Sequence, residues 1–511
     1  MSLVIKDNHC YENESTKKNS PMDIEPGNGY PSEKRANNRI SSWDFFSSRS
    51  VNLLLTLYFT TLLLLAPINI LSLDTYYYWD WSRHLALSYY DGSPMIAYFI
   101  RFATSLFGNN LFALSFIGIT CIAFTSGIIY KSARFFLSRE ASCMAMLAWL
   151  FSPLVTLDIL KQTTYDTPLA LFWSLTLYYT IKFIKTNRIR ELYLIGISAG
   201  LMMLSKYSGI VLIFSLLIFL IFSTYRSIFK SKHFYFAAIL AIIIFSPVIF
   251  WNYQNHWQSF IYQLTTHKLH PGVNPFYHTV KTFFTSFVPA LNIMLLPPFL
   301  VRNQNLDEKS ASIVTLCRTI CITFLCFYLY TASQAEIREF WLTPFLISSA
   351  ILLGYWLITF HYRKFAILLL TLYAIISLCI LIDNTSKFNF IKSKKLIFYH
   401  LIQKFNASHP ELPDTVFTSG WFTARMLFFL QNKPIIYTLG CGTAQNQYAL
   451  WNVNINKKIA DKTLKEILYI DRYDRQSCLK QYFDQCQKIP THMHPFRHKE
   501  YALNVYKCRN F

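Results

Sequence analysis

The sequence predicts a mainly α, polytopic helical membrane protein of about eleven spans, closed by a small C-terminal α/β domain. Three observations carry that reading. Of 511 residues, 53% are hydrophobic and 15% charged, where a soluble domain carries about 25% charge. Apolar runs of membrane-crossing length recur along residues 51–383. Beyond them, the short β-like stretches TVFTSG, PIIYTLG and EILYID alternate with helical ones. A soluble chain with one oversized core is set aside, because chains of this size split into domains.

Residues 1–49 are polar, rich in Asn, Ser and Lys, and lack an early apolar stretch. Their composition predicts a disordered cytoplasmic tail. The transmembrane region, residues 50–383, holds apolar segments at 51–72, 111–130, 141–160, 166–184, 192–205, 208–223, 234–252, 283–301, 312–332, 340–360 and 364–383. Lys206 divides the long run at 192–223 into two short spans, which need tilt or local thinning.

Basic residues fix the expected orientation. Lys34, Arg35, Arg39 and Arg49 precede the first span, and Lys131, Arg134, Lys185, Arg188, Arg226, Lys230, Arg302 and Arg363 fall on the same side. That side is the cytoplasm. The outward face then receives Leu73–Asn110, Lys161–Tyr165, the Lys206 turn, Asn252–Phe283, Ser333–Glu339 and the C-terminal domain, residues 384–511.

That domain carries 19 Lys and Arg against 8 Asp and Glu, a net +11 of the whole-chain +21. Outside a membrane, anionic lipid headgroups suit such charge, and nucleic acid is not the expected partner. Cys441, Cys478, Cys486 and Cys508 are placed to form one or two disulfides there. Spacing leaves their pairing open.

Ionisable groups at a membrane boundary are costly, so they are the candidate functional residues. The outward loops collect Asp74, Asp80, Arg83, His84 and Asp91, then Asp158, Lys161 and Asp166, then Lys206. His256, His267, Lys268 and His270 follow, and then Glu336, Arg338 and Glu339. Carboxylates there can take a proton from a hydroxyl or hold a divalent cation. Lysine and arginine suit a phosphate. Tyrosines and tryptophans around Asp74 read mostly as an interfacial belt. Nucleotide-binding glycine loops, HExxH and CxxC are missing. The three loop histidines are the zinc candidates, but no Cys or carboxylate stands at helical spacing beside them.

The stretch LDTYYYWDWSRHLALSYYDGSPMIAYFIRFATSLFGNN resembles the first periplasmic loop of bacterial integral-membrane glycosyltransferases of the GT-C superfamily. The subgroup is that of the dolichyl-phosphate-mannose protein mannosyltransferases and of the aminoarabinose and galacturonic acid transferases acting on lipid A. The matching residues are Asp74, Tyr77, Tyr78, Trp79, Trp81, Ser82, Tyr89-Tyr90-Asp91, Pro94 and Phe107-Gly108. Asp166, Lys206, the segment from Trp251 to His267 and GTAQNQYALW are similar to later motifs, in order. Three positions depart. Asp74-Thr75 stands for an Asp-Glu pair, YYDGSP for a YYDHPP-like turn, and Tyr165 for a proline before Asp166.

The resemblance implies a polyprenyl-phosphate-sugar donor, an inverting transfer and a bacterial inner membrane. It makes Asp74 the expected general base. Lys206, with Arg83 or Arg338, is expected to hold the phosphate. Asp91, Asp166, His84 and His267 are expected to bind sugar or acceptor. The acceptor is lipid A, lipopolysaccharide or another glycolipid, with protein hydroxyls as the alternative. A lipid or sugar transporter or flippase is the rival class. It would carry its ionisable groups near mid-span and often an internal repeat, and neither feature is visible.

Overall fold

A computed structural model of the chain describes residues 47–160, 162–265, 274–278, 280–281, 294, 297–301, 306–335, 339–359, 362–383, 394–408, 415–420, 422–430, 435–439, 446–452, 457–458, 461, 464, 466–491, 493–496 and 499–510. The expected tail up to residue 46 lies outside these, as do Lys161, His267, Lys268, His270, Glu336, Arg338 and Cys441.

Helix α1 (Ser48–Leu65) starts where the Ser47 hydroxyl accepts the Ser50 N–H, a standard N-cap. A 3₁₀ turn through Pro67 ends it. Two helices then occupy what the sequence read as one outward loop, α2 (Leu73–Arg83) and α3 (Met95–Phe107). Next come α4 (Leu111–Ala133) and α5 (Arg139–Leu150). Pro153, which has no N–H to continue α5, opens a separate short helical segment running into a π turn at Thr156–Leu160. The following helices are α6 (Asp166–Thr186), α7 (Ile189–Ser205), α8 (Ile210–Phe222), α9 (Lys232–Gln254) and α10 (Gln258–Thr265). After them stand α11 (Glu308–Gln334), α12 (Thr343–Thr359) and α13 (Arg363–Asp383).

The expected span 141–160 is corrected, since it breaks at Pro153 into α5, the short segment and the π turn. Of the other apolar segments, all but 283–301, mostly outside the described residues, lie largely within helices. Among the described residues five helices have the length and composition to cross a membrane, six if the bent pair at Tyr207–Lys230 is one span. Others are short: α7 and α12 have 17 residues and α8 has 13. Lys206 does break the 192–223 run. Its backbone is extended, and the chain re-enters α8 through a 3₁₀ turn.

Glycines let helices meet closely, Gly196 and Gly200 at the α7–α9 crossing and Gly354 between α12 and α5. A Cβ on Gly196 of α7 would stand 2.3 Å from the Ala237 carbonyl oxygen of α9. One on Gly354 of α12 would stand 2.3 Å from the Ala141 carbonyl oxygen of α5. Small residues at such crossings let backbones touch, which drives packing in lipid.

The C-terminal part starts with α14 (Lys394–Ser408) and holds a five-stranded sheet of order β2-β1-β3-β7-β4. The strands are β1 (Thr415–Thr418), β2 (Ile435–Thr438), β3 (Glu466–Asp471), β4 (Gln485–Ile489) and β7 (Asn504–Arg509). β1 runs parallel to β2 and β3, and β7 antiparallel to β3 and β4. The hairpin β5 (Met493–Phe496)–β6 (Lys499–Ala502) stands beside it. Cys486 and Cys508, facing each other on β4 and β7, form a disulfide. Helix α15 (Phe422–Phe429) seats this part on α2, with Phe428 5.0 Å from Tyr76 and from Trp79, centroid to centroid.

The interfacial-belt reading is therefore corrected. Tyr76, Tyr77, Tyr78, Trp79, Trp81, Tyr89 and Tyr90 are all buried. All but Tyr90, which packs against Tyr262 of α10, belong to the core between α2, α3, α4 and α15. The C-terminal part covers the ring faces that a belt would turn to lipid headgroups.

Gly196→Ala and Gly354→Ala should each lower stability by about 1–3 kcal/mol through overpacking. Gly127→Ala, with no heavy atom within 4 Å of its added Cβ, is the control. Thermal unfolding of the full chain in detergent should show lowered midpoints for the first two alone.

Candidate functional site

Asp74 occupies the first turn of α2, after the Ser72 N-cap. The Ser72 hydroxyl accepts the Thr75 N–H at 3.4 Å. The Thr75 hydroxyl donates to the Gln162 carbonyl. Thus the position that departs from the Asp-Glu pair ties the first outward loop to the second. Asp74 itself is half-buried.

Asp91 sits in a tight turn closed by the paired backbones of Tyr89 and Gly92. The Tyr77 hydroxyl donates to Asp91 Oδ1 at 2.9 Å, and Gln263 Nε2 of α10 donates to its carbonyl at 2.6 Å. Burial pushes the Asp91 carboxyl up to about 7, with Asp74 adding a like charge and Tyr77 opposing the shift. The two carboxylates therefore lie close enough to feel each other, a common arrangement in sites that handle protons.

Asp166 opens α6 and Lys206 closes α7, 40 residues later. Lys206 Nζ lies 2.6 Å from Asp166 Oδ1. Tyr165 and Trp341 flank the ammonium, with ring centroids at 4.9 and 5.5 Å. Lys206 is thus held in an aromatic cradle by a buried carboxylate and does not snorkel away. Tyr165 also joins the two acid sites, its ring 5.1 Å from Tyr78 of α2. Asp158, in the π turn, interacts electrostatically with Asp166 and Lys206. Both its oxygens are buried and lack a partner at hydrogen-bonding geometry, although the Thr343 side chain interacts with it.

The remaining candidates are placed elsewhere. Arg83 pairs with Asp80 at 3.2 Å and lies over the Trp79 ring at 5.1 Å. His84 is exposed beside Trp451. Their field, with the Tyr448 hydroxyl, opposes the rise that burial imposes on Asp80. Asn252 organises the next outward segment. Its Oδ1 accepts the Ser259 and Phe260 N–H groups. The chain folds back through the left-handed residues His256 and Trp257. Among the described residues no three His, Cys, Asp or Glu side chains converge as metal ligands.

Comparison with known proteins bears on the fold. Residues 91–251 match the model of the dolichyl-phosphate-mannose-protein mannosyltransferase family. ArnT from Cupriavidus metallidurans bound to undecaprenyl phosphate superposes with a TM-score of 0.64 at 12% identity, covering 90% of this chain and 98% of that one. The fold is that of the GT-C glycosyltransferases. Apo ArnT gives 0.61 at 12% identity over 89% of this chain and 96% of its own. The lipid A galacturonosyltransferase RgtD of Rhizobium johnstonii is 26% identical over 183 residues, 36% of this chain and 38% of RgtD. The match thus spans well under half of that relative. The family match takes in Asp91, Asp166 and Lys206 and begins after Asp74.

Asp91→Asn should stabilise the protein in a pH-dependent way. A carboxyl raised from 3.8 to about 7 costs stability as pH climbs through that window and keeps the full cost above it. The unfolding-midpoint advantage of the variant should therefore grow between those values and level off, reaching on the order of a few kcal/mol.

Proposed function

We propose that this protein is an inverting glycosyltransferase that moves a sugar from a polyprenyl-phosphate-sugar to an acceptor hydroxyl at the periplasmic face of a bacterial inner membrane. The observation that carries the reading is the convergence, across Tyr165, of two interacting carboxylates, Asp74 and Asp91, with a lysine held in a buried ion pair at the ends of apolar helices. A donor with a lipid tail and a charged head needs such a junction. The name of RgtD and the undecaprenyl phosphate in the ArnT structure support a polyprenyl phosphate donor and a lipid A-like or other glycolipid acceptor.

In this mechanism Asp74 takes the proton of the acceptor hydroxyl. The hydroxyl oxygen bonds to the anomeric carbon as the bond from that carbon to the phosphate oxygen breaks on the opposite face. Polyprenyl phosphate leaves with the electron pair, and the configuration inverts. Lys206 turns from Asp166 to the phosphate and stabilises its growing charge, as preorganised cations do in other transfers. Asp158, buried beside Asp166, shares a proton with it while Lys206 is engaged by the phosphate. Asp91, protonated in a good fraction of molecules near neutrality, donates a hydrogen bond to the sugar. Arg83 stays with Asp80 and takes no part in this scheme.

Extracellular glycolipids compared by mass spectrometry should carry an added sugar in cells with the intact protein. The sugar should be lost without the protein and with Asp74→Asn. General-base loss is worth about 10²–10⁴ in rate. An identical sugar pattern in all three strains contradicts the proposal, and movement of labelled lipid without a transfer product favours a transporter.

A further inference from the structure

A short helix of the C-terminal part, α16 (Gln447–Trp451), reaches into the turn that holds Asp91. Gln447 makes two buried contacts there, far apart in sequence. Its backbone N–H donates to the Tyr77 hydroxyl at 2.8 Å. Its side-chain Oε1 accepts the Tyr90 N–H at 2.7 Å. Tyr90 is the residue before Asp91, and Tyr77 is the donor to Asp91 Oδ1. One residue therefore grips the Asp91 turn on two sides.

The direction of the chain of bonds matters. The Tyr77 oxygen accepts from Gln447, so its single proton is committed to Asp91. An N–H donated to a hydroxyl oxygen makes that hydroxyl a better donor, the cooperative effect expected in a buried network. Next door, the Tyr448 hydroxyl donates to Asp80 Oδ2 at 2.8 Å. The titratable groups facing Asp91 are Asp74, Tyr77 and Tyr78 of α2 and Tyr448 of α16. Gln263 of α10 contributes an uncharged donor.

We propose that Gln447 is a positioning residue for Asp91: through Tyr77 and Tyr90 the C-terminal part sets the orientation and the proton of an acid in the membrane-side site. The role of Asp91 rests on the transfer reading above, but the contact and its effect on the acid do not. The C-terminal part is then a component of the site and more than a cover on it. Removing the clamp leaves Asp91 buried with a weaker donor, so its proton is held more tightly.

The local backbone offers a clean test. Gln447 is the first residue of α16, and Asn446 before it is extended, with φ −152° and ψ −171°. Proline is accommodated at that position and after an extended residue. Gln447→Pro thus deletes the N–H given to Tyr77 together with the side-chain acceptor, and Gln447→Ala deletes the acceptor alone. Infrared difference spectra of the purified full-length protein in detergent, titrated with acid and base, report the protonated-carboxyl band, which Asp91→Asn assigns. The midpoint of that band should rise by about one pH unit in Tyr77→Phe. It should rise in Gln447→Pro as well, with no further rise in the double variant. Gln447→Ala should move it less than Gln447→Pro.

An unmoved midpoint in Gln447→Pro, or fully additive shifts in the double variant, overturns the proposal. So does a lowered thermal unfolding midpoint with the Asp91 band in place, which would make the contact merely structural. The titration needs no substrate. A failed glycolipid assay with a moved band sinks the transfer reading alone, and the reverse sinks the clamp alone.

Discussion

Lys206 is a cation in an apolar hairpin, and the structure around it follows from how that charge is satisfied. A lone ammonium at that depth would be costly, and breaking a buried pair by removing one partner typically loses several kcal/mol. The 2.6 Å bond to Asp166 meets that cost and pins the end of α7 to the start of α6. Tyr165, one residue before Asp166, is thereby fixed against Lys206 and against Tyr78 of α2. The Tyr207 hydroxyl, one residue after Lys206, binds Ser259 at 2.8 Å and Ser88 at 3.2 Å. One turn thus brings together outward segments from four parts of the chain. In the proposed transfer, the pair gives Lys206 a partner that it exchanges for the phosphate.

A second set of constraints comes from hydroxyls with no water to bind. Buried tyrosines must place their O–H groups, and here they place them on acids. Tyr77 serves Asp91 and Tyr448 serves Asp80. Because the donor to Tyr77 belongs to the C-terminal part, the sheet-bearing region and the helices share one polar network. The aromatic rings then fill the space around it, with Trp81 stacked on Tyr89 at 4.0 Å.

Much of this was legible in the sequence. Long apolar runs gave the helices, because a lipid-facing helix must be apolar over its length. The three β-like stretches became β1, β2 and β3. Asp166 and Lys206 stood out as ionisable groups at the ends of apolar runs, although nothing in their spacing showed that they pair. The burial of the aromatics in α2 was hidden because their cover, α15, lies more than 330 residues away in the chain. Gln447 was visible only as part of a motif, since both its partners lie 357 and 370 residues upstream. Asp158 stood out as an ionisable group near the second outward loop, but its place in a π turn beside Asp166 and Lys206 depended on the break at Pro153. Disulfide pairing needed the register of β4 against β7.

The central claim is that the Lys206 cradle receives a lipid-linked phosphate. A structure of the full-length protein in lipid nanodiscs with a polyprenyl monophosphate tests it most directly. The account predicts the phosphate within hydrogen-bonding distance of Lys206 Nζ, on the side of Tyr165 that faces Asp74 and Asp91. A phosphate bound elsewhere, with Lys206 still closed on Asp166, would contradict it.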